Sequence, residues 1–465
     1  MLFSSGTFLF VFLPLFMGLY FLPIKSIKYR NIIILLFSLL FYAWGEPSFV
    51  FIMIICVIMD WISGLLIYKY KDKGIDRIIL FVSLFIHLAL LFVFKYLSFV
   101  SGEFSKILDT RVYSIALPIG ISFFSFQMMS YLIDVYRKDT LPQENIFKLA
   151  IYIMMFPQLI AGPIVRYSQV ANEIDNRVIS KDGIEYGIVR FVTGLAKKVI
   201  LADMLAVIAD NIFGASSNMA IPFTAAWLGG IAYTLEIYFD FSGYSDMAIG
   251  LASIMGFKFK ENFNYPYVAT SVTDFWKRWH ISLTDWFRDY IYIPLGGNRV
   301  SKSRHIFNLC AVWILTGIWH GANWTFILWG IIYLICQLFE RYVLNGKKLP
   351  APFGFLITMI IVTCNWCIFK CNSIGEALVY LSNMFSFRGG IIDANSMYYL
   401  SQSAVIIVLG MVCSVPWKSV LKDKTWFISM LNNSVFKIVT ILGLFIVSTI
   451  MIMNGNYSPF IYFNF

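Results

Sequence analysis

The chain has 465 residues, 59% hydrophobic and 13% charged, with a formal net charge of +10. Soluble globular proteins carry about 25% charged residues, so the composition excludes a soluble enzyme and predicts an integral membrane protein. The basic residues sit in short loops between apolar runs, which argues against nucleic-acid binding and fits a positive-inside orientation.

A spanning helix needs about 20 mostly apolar residues. In chain order, the runs without a charged side chain are Met1–Ile24, Asn31–Gly45, Pro47–Met59, Ile78–Phe94, Val112–Ile133, Leu149–Val165, Asn211–Leu235, Ile306–Phe339, Leu349–Phe369, Ala394–Trp417 and Ile438–Phe465. They predict roughly 11 spans. The period-two alternation of a barrel strand is absent. The expected fold is therefore all-α, a polytopic transmembrane bundle. It forms one membrane domain over residues 1–465: N-terminal spans (1–165), a catalytic core with interfacial helices (166–345) and C-terminal spans (346–465).

Met1–Ile24 lacks the basic n-region and small-residue cleavage site of a signal peptide and is expected to stay as the first span. Lys25, Lys28 and Arg30 form one basic cluster; Lys69, Lys71, Lys73 and Arg77 form the next. Two apolar segments joined at Gly45-Glu46-Pro47 separate them, so both clusters can be cytoplasmic with the N-terminus outside.

Residues 166–210 are more polar, and Gly183–Asp210 reads as a helix carrying Arg190, Lys197 and Lys198, at the interface or entering part way. Residues 222–256 are apolar but hold Glu236, Asp240 and Asp246. Glu236 and Asp240 share a helical face at i, i+4. Intramembrane carboxylates are functional candidates by default; pairing with arginines of the 277–304 segment is the structural alternative.

Residues 257–305 form a long basic segment. Within it, Val272–Tyr290 reads as one interfacial helix. Val272, Phe275, Trp276, Trp279, Leu283, Trp286, Phe287 and Tyr290 make an apolar stripe, with Asp274, Lys277, Arg278, Asp285, Arg288 and Asp289 opposite. His280 falls on the border. It is either incidental to an anchoring helix or aimed at a polar cavity.

The 34-residue run Ile306–Phe339 contains Trp319-His320-Gly321-Ala322 near its middle. A histidine inside a membrane-length apolar run is costly unless used, although it can bond a neighbouring helix. Gly317 and Gly321 permit close approach of backbone or ligand, Asn323 adds a polar neighbour, and Trp313, Trp319, Trp324 and Trp329 can wall a slot. Such a histidine suits general-base work on a hydroxyl.

Of the seven cysteines, Cys364, Cys367 and Cys371 share one helix face, read as small buried apolar residues rather than a metal site. No metal and no disulfide framework are expected. Walker, HExxH and GxSxG signatures are absent, so any acyl transfer is direct, without a covalent serine.

Five stretches in order carry a family resemblance: Gly162-Pro-Ile-Val-Arg166, Tyr238-Phe-Asp-Phe-Ser-Gly-Tyr-Ser-Asp246, Asp274-Phe-Trp-Lys-Arg-Trp-His-Ile-Ser-Leu283, Tyr292-Ile-Pro-Leu-Gly-Gly-Asn298 and Gly317-Ile-Trp-His-Gly-Ala-Asn-Trp324. The chain resembles the membrane-bound O-acyltransferases, and within them the bacterial alginate O-acetyltransferase-like branch. The resemblance covers nearly the whole chain. It implies short and broken helices around a membrane tunnel, with His320 catalytic and His280 as its polar companion. Asn323 or Trp319 would support the site, and His280, Asn323 or a backbone N–H would supply the hydrogen bond to the oxyanion. Lys277, Arg278, Arg288 and Arg299 would face an anionic cytoplasmic donor, and Glu236 and Asp240 would be polar groups of the tunnel.

The resemblance further implies acetyl-CoA as donor substrate with no bound cofactor, and O-acetylation of an exported polysaccharide. It also implies an extracytoplasmic serine-esterase-like partner and a place in the bacterial plasma membrane. The uncharged C-terminal Asn456–Phe465 would dock at the tunnel or partner, or anchor at the interface. The alternatives are D-alanyl transfer to teichoic acid, a proton-coupled transporter using Glu236, Asp240 and His320, and acylation of a lipid or protein.

Overall fold

The computed structural model describes residues 1–108, 111–113, 115–160, 162–216 and 220–455, and among them there are helices and no strands. The C-terminal Asn456–Phe465 segment lies outside the described residues. Among the described residues, seven helices are long and apolar enough to cross a membrane, fewer than the sequence runs suggest. Several apolar runs are broken: Leu149–Val165 becomes Ile146–Met154 followed by a four-residue helix, Phe156–Leu159, with Pro157 in its first turn. Proline has no N–H to donate and forces such a break. The run at the N-terminus is helical only over Phe8–Tyr20, too short to be counted with the seven.

The chain divides into two compact units, residues 1–191 with 245–260, and residues 192–244 with 261–465. The first contains α1 (Phe8–Tyr20), α2 (Ile27–Gly45), α3 (Phe49–Lys69), α4 (Ile75–Ile107), α5 (Ile121–Arg137), α6 (Ile146–Met154), α7 (Phe156–Leu159) and α8 (Tyr167–Asn176). Its core is phenylalanine-rich: Phe8, Phe12, Phe16 and Phe41 all pack on Phe156, at 5.1 to 6.4 Å between ring centres. Charged groups are buried here with partners, as desolvation demands. Arg177 donates to Tyr20, Asn31 and the Met255 carbonyl. Inside the spans, His87 of α4 lies 2.8 Å from Asp60 of α3, both fully buried. The uncharged runs end or continue across these two positions, so the sequence reading passed over them.

Two long helices begin in one unit and end in the other: α9 (Lys181–Ala196), and α11 (Phe223–Ile254), which follows α10 (Asp203–Ser216). The expected Gly183–Asp210 helix is present and longer, with a π-type turn at Lys197–Ala202.

The second unit adds α12 (Val272–Trp276), α13 (Ile281–Phe287), α14 (Lys302–His320), α15 (Trp324–Leu338), α16 (Ala351–Lys370), α17 (Ile374–Phe385), α18 (Ala394–Cys413), α19 (Thr425–Asn432) and α20 (Ser434–Met453). α14 and α15 form a tight hairpin. A Cβ on Gly317 would stand 2.6 Å from the Phe326 carbonyl oxygen, so only glycine allows this approach. The π-type turn carries Lys198 inward, where it bonds Asp203 and Asp240 at 2.7 Å each. All seven cysteines are free.

Candidate active site

His320 is the last residue of α14, and the chain leaves the helix in extended conformation at Gly321. It re-enters helix at Trp324 with Asn323 as the cap, whose side-chain oxygen accepts the Thr325 N–H at 3.1 Å. The Asn323 amide donates at 2.7 Å to the Asn372 carbonyl beyond the end of α16. Asn323 thus ties the turn after His320 to a neighbouring loop. Gly321 lies against the Phe326 ring, where a Cβ has no room. Both flanking glycines therefore serve helix packing.

The His320 ring is 1% exposed. Trp319, Trp329 and Phe369 enclose it, with centres at 4.9, 4.9 and 5.2 Å. Of the four tryptophans expected to wall the slot, Trp319 and Trp329 do so. Trp313 is one ring further out, 6.2 Å from Trp329, and Trp324 is exposed instead.

His280 reaches the same place by a route the periodicity did not show. The expected single helix over Val272–Tyr290 is broken at 277–280, with α12 before the break and α13 after it. At the break His280 has φ 44° and ψ 55°, the left-handed region, which costs an L-residue roughly 1–2 kcal/mol. Asn262 holds the break open. Its carbonyl accepts the Ile281 N–H at 2.9 Å, and its side-chain oxygen accepts the Ser282 N–H at 3.2 Å and hydroxyl at 2.8 Å. These N–H groups at the start of α13 would otherwise be orphaned. Glu340 does the same for α12, taking the Val272 and Thr273 N–H groups at 2.6 and 3.0 Å. Strained backbone of this kind clusters at functional sites.

The fully buried His280 ring stands 4.6 Å from Phe241 of α11 and 6.0 Å from Trp319. The two histidines singled out in the sequence therefore flank one indole. Burial lowers the His280 imidazole to about 3, so it is neutral at physiological pH.

Two cavities border α14. Thr316, one turn before His320, lines an apolar cavity of about 160 Å³ with Trp276, Trp313 and Phe287. Nearer the basic start of α14, a cavity of about 580 Å³ is lined by Lys277, Arg341, Lys347 and Lys348 together with Asp274 and Glu340. A third, of about 450 Å³, lies at the other end of α16 and includes Lys370, the residue after Phe369.

The basic residues expected to face a donor separate here. Lys277 lines the 580 Å³ cavity. Arg278 is paired with Asp274 at 3.0 Å, and Arg288 with Asp285 and Asp289 at 2.7 Å. Arg341, Lys347 and Lys348 went unnoticed in the sequence reading, although a basic cluster directly after a long uncharged run is a signal for that side of the membrane. Asp240 pairs with Lys198 at 2.7 Å, a partner that lies outside the 277–304 segment. Glu236, one turn away, is buried with Lys370 as its nearest opposing charge. Asn262 carried no sequence signal: it lies 18 positions before His280 in an unremarkable polar stretch.

Residues 138–382 match the model of the MBOAT, membrane-bound O-acyltransferase family. The chain is 41% identical over 398 residues to a probable alginate O-acetylase of Pseudomonas aeruginosa, covering 83% of this chain and 75% of that one. It is 33% identical over 426 residues to a peptidoglycan O-acetyltransferase of Helicobacter pylori (84% and 80% covered). A teichoic acid D-alanyltransferase of Bacillus subtilis is 29% identical over 269 residues, covering 54% and 67%.

Proposed function

The chain belongs to the membrane-bound O-acyltransferase family, and on that premise we propose that it moves acetyl groups from a cytoplasmic thioester, acetyl-CoA, for O-acetylation of an exported or cell-surface polysaccharide. It is a multi-pass membrane O-acyltransferase, and in this proposal it works in the bacterial plasma membrane. The observation that carries the proposal is the meeting of His280 and His320 about Trp319 in one buried aromatic chamber. The higher identity to acetyl-transferring relatives than to the D-alanyl-transferring one supports acetate as the group moved.

In this reading His320 takes the proton of the acceptor hydroxyl as its oxygen attacks the thioester carbonyl. The tetrahedral oxyanion needs a hydrogen-bond donor, for which Trp319, Asn323 or a backbone N–H are the candidates. Collapse breaks the C–S bond, and the thiolate recovers the proton from the imidazolium. An ester and a free thiol result, with no covalent enzyme intermediate. The phosphates of the donor would meet Lys277, Arg341, Lys347 and Lys348 around the 580 Å³ cavity. The acceptor would be an extracytoplasmic serine-esterase-like partner that hands the acetyl group to the polymer.

The test is alkali-released acetate from surface polysaccharide of cells carrying the wild type or His320→Ala, with membrane abundance checked by blot. Loss of ester at equal abundance is expected. Unchanged acetylation would remove His320 as the base, and release of D-alanine instead of acetate would transfer the reading to teichoic acid.

A further inference from the structure

The structure assigns Asn262 as the positioning residue that sets the tautomer of His280, protonating it at Nδ1 and leaving Nε2 as a lone-pair acceptor. The assignment begins with a donor of fixed identity. The backbone N–H of Ser282 points at the Asn262 side chain at 3.2 Å, so the atom it meets is the amide oxygen and not the nitrogen. The Ser282 hydroxyl donates to the same oxygen at 2.8 Å. That uses its single proton, although it also stands 3.5 Å from His280 Nδ1. His280 Nδ1 lies 3.2 Å from this oxygen. An amide oxygen only accepts. A bare Nδ1 would therefore set two lone pairs against each other where His280 and Asn262 are both fully buried, which is costly. Nδ1 must carry the proton, and in the neutral ring Nε2 then has none.

The consequence rests on the acyltransferase reading and sharpens it. A neutral imidazole with bare Nε2 cannot donate to an oxyanion. It can accept from a hydroxyl, so His280 orients or relays the acceptor proton, and the oxyanion donor lies elsewhere. The same residue achieves both effects: the contacts from Asn262 to Ile281 and Ser282 hold the left-handed turn that brings the ring into the chamber. Residues that fix the ring orientation and tautomer of metal-bound histidines typically account for about ten- to a hundredfold in activity, and the same scale is expected for Asn262.

The first measurement needs no turnover. The protein has four histidines, so 15N-histidine-labelled enzyme in lipid gives a short solid-state NMR spectrum, and His280→Gln identifies the His280 signals. A protonated-type Nδ1 and a bare-type Nε2 are expected in the wild type. A protonated Nε2 with bare Nδ1 would overturn the assignment, whatever the enzyme transfers. In Asn262→Asp the acceptor is kept, so the tautomer and most of the turnover should survive. In Asn262→Leu the signals should become mixed, with kcat down by about ten- to a hundredfold and KM for acetyl-CoA unchanged. Equal loss in the Asp and Leu variants would reduce Asn262 to a packing role. Absence of any transfer by the wild type, with the tautomer as assigned, would reject the acyltransferase chemistry and leave the geometry standing.

Discussion

The imidazole of His280 and the indole of Trp319 meet with ring centres 6.0 Å apart and planes at 61°. The neighbouring His320 ring is 4.9 Å from the same indole, at 71°. One side chain thus spaces two imidazoles that lie 40 positions apart in the chain. Edge-to-face contacts of this type add about 0.5–1.5 kcal/mol beyond burial, so the indole fixes the distance between the rings as well as filling space.

Trp319→Phe should keep the fold and lower acetylation, because a smaller ring leaves the two imidazoles less constrained. Trp319→Ala should also destabilise the protein by about 3–5 kcal/mol through the cavity it opens. Acetate release normalised to membrane abundance separates the two effects: the Phe variant should be present at wild-type level and less active. Full activity in the Phe variant would show that the spacing is not needed.

His280 predicts an acid-dependent stability. Its folded value is lowered by burial to about 3, against about 6.5 in an unfolded chain. Between those values the unfolded state binds the extra proton, so stability is full above about pH 6.5 and falls as the pH drops below it. The slope approaches about 1.4 kcal/mol per pH unit. Thermal unfolding in detergent at pH 7.5 and 5 should show a larger loss for the wild type than for His280→Gln. Parallel losses would place the acid sensitivity elsewhere.

Lys198 joins Asp203 and Asp240 inside the second unit. Removing one member of a buried pair leaves an uncompensated charge, at a cost of about 3–5 kcal/mol. Lys198→Met should therefore be far less stable than Lys198→Met/Asp203→Asn/Asp240→Asn, in which neither carboxylate is left without its cation. Unfolding midpoints in one detergent decide the matter; additive losses would mean that the charges are not coupled.

The donor-side residues can be ranked. Lys347→Glu/Lys348→Glu should raise KM for acetyl-CoA and flatten its dependence on salt, with kcat little changed, because these side chains border the 580 Å³ cavity. Arg288→Gln should leave KM close to wild type, because its guanidinium is engaged with Asp285 and Asp289. The reverse order would return the donor to the face that the sequence pattern first suggested.

Much of the candidate site was legible in the chain. His320 stood out because a titratable group within an apolar run is expensive in lipid; the structure places it at the end of α14. His280 stood out at the border of an apolar stripe, and the resemblance made it the companion of His320; the periodicity argued for one unbroken interfacial helix. The acidic partners of Arg278 and Arg288 were not legible, because charge is visible in a sequence and the pairing of charges in space is not.

By itself the sequence determined the class of the molecule, a helical membrane enzyme. It also singled out the two histidines on which the chemistry is proposed to turn, His320 by the cost of a polar group in lipid and His280 by its place at the border of an apolar stripe, because both are properties read along the chain. The tertiary structure decided the rest. The break at His280 exists because Asn262, from another segment, accepts the N–H groups of Ile281 and Ser282. Asp240 is paired because a π-type turn carries Lys198 inward. The basic cavity belongs to Arg341, Lys347 and Lys348 as much as to Lys277. Each of these outcomes depends on a partner distant in sequence, and local periodicity carries no information about which distant group arrives.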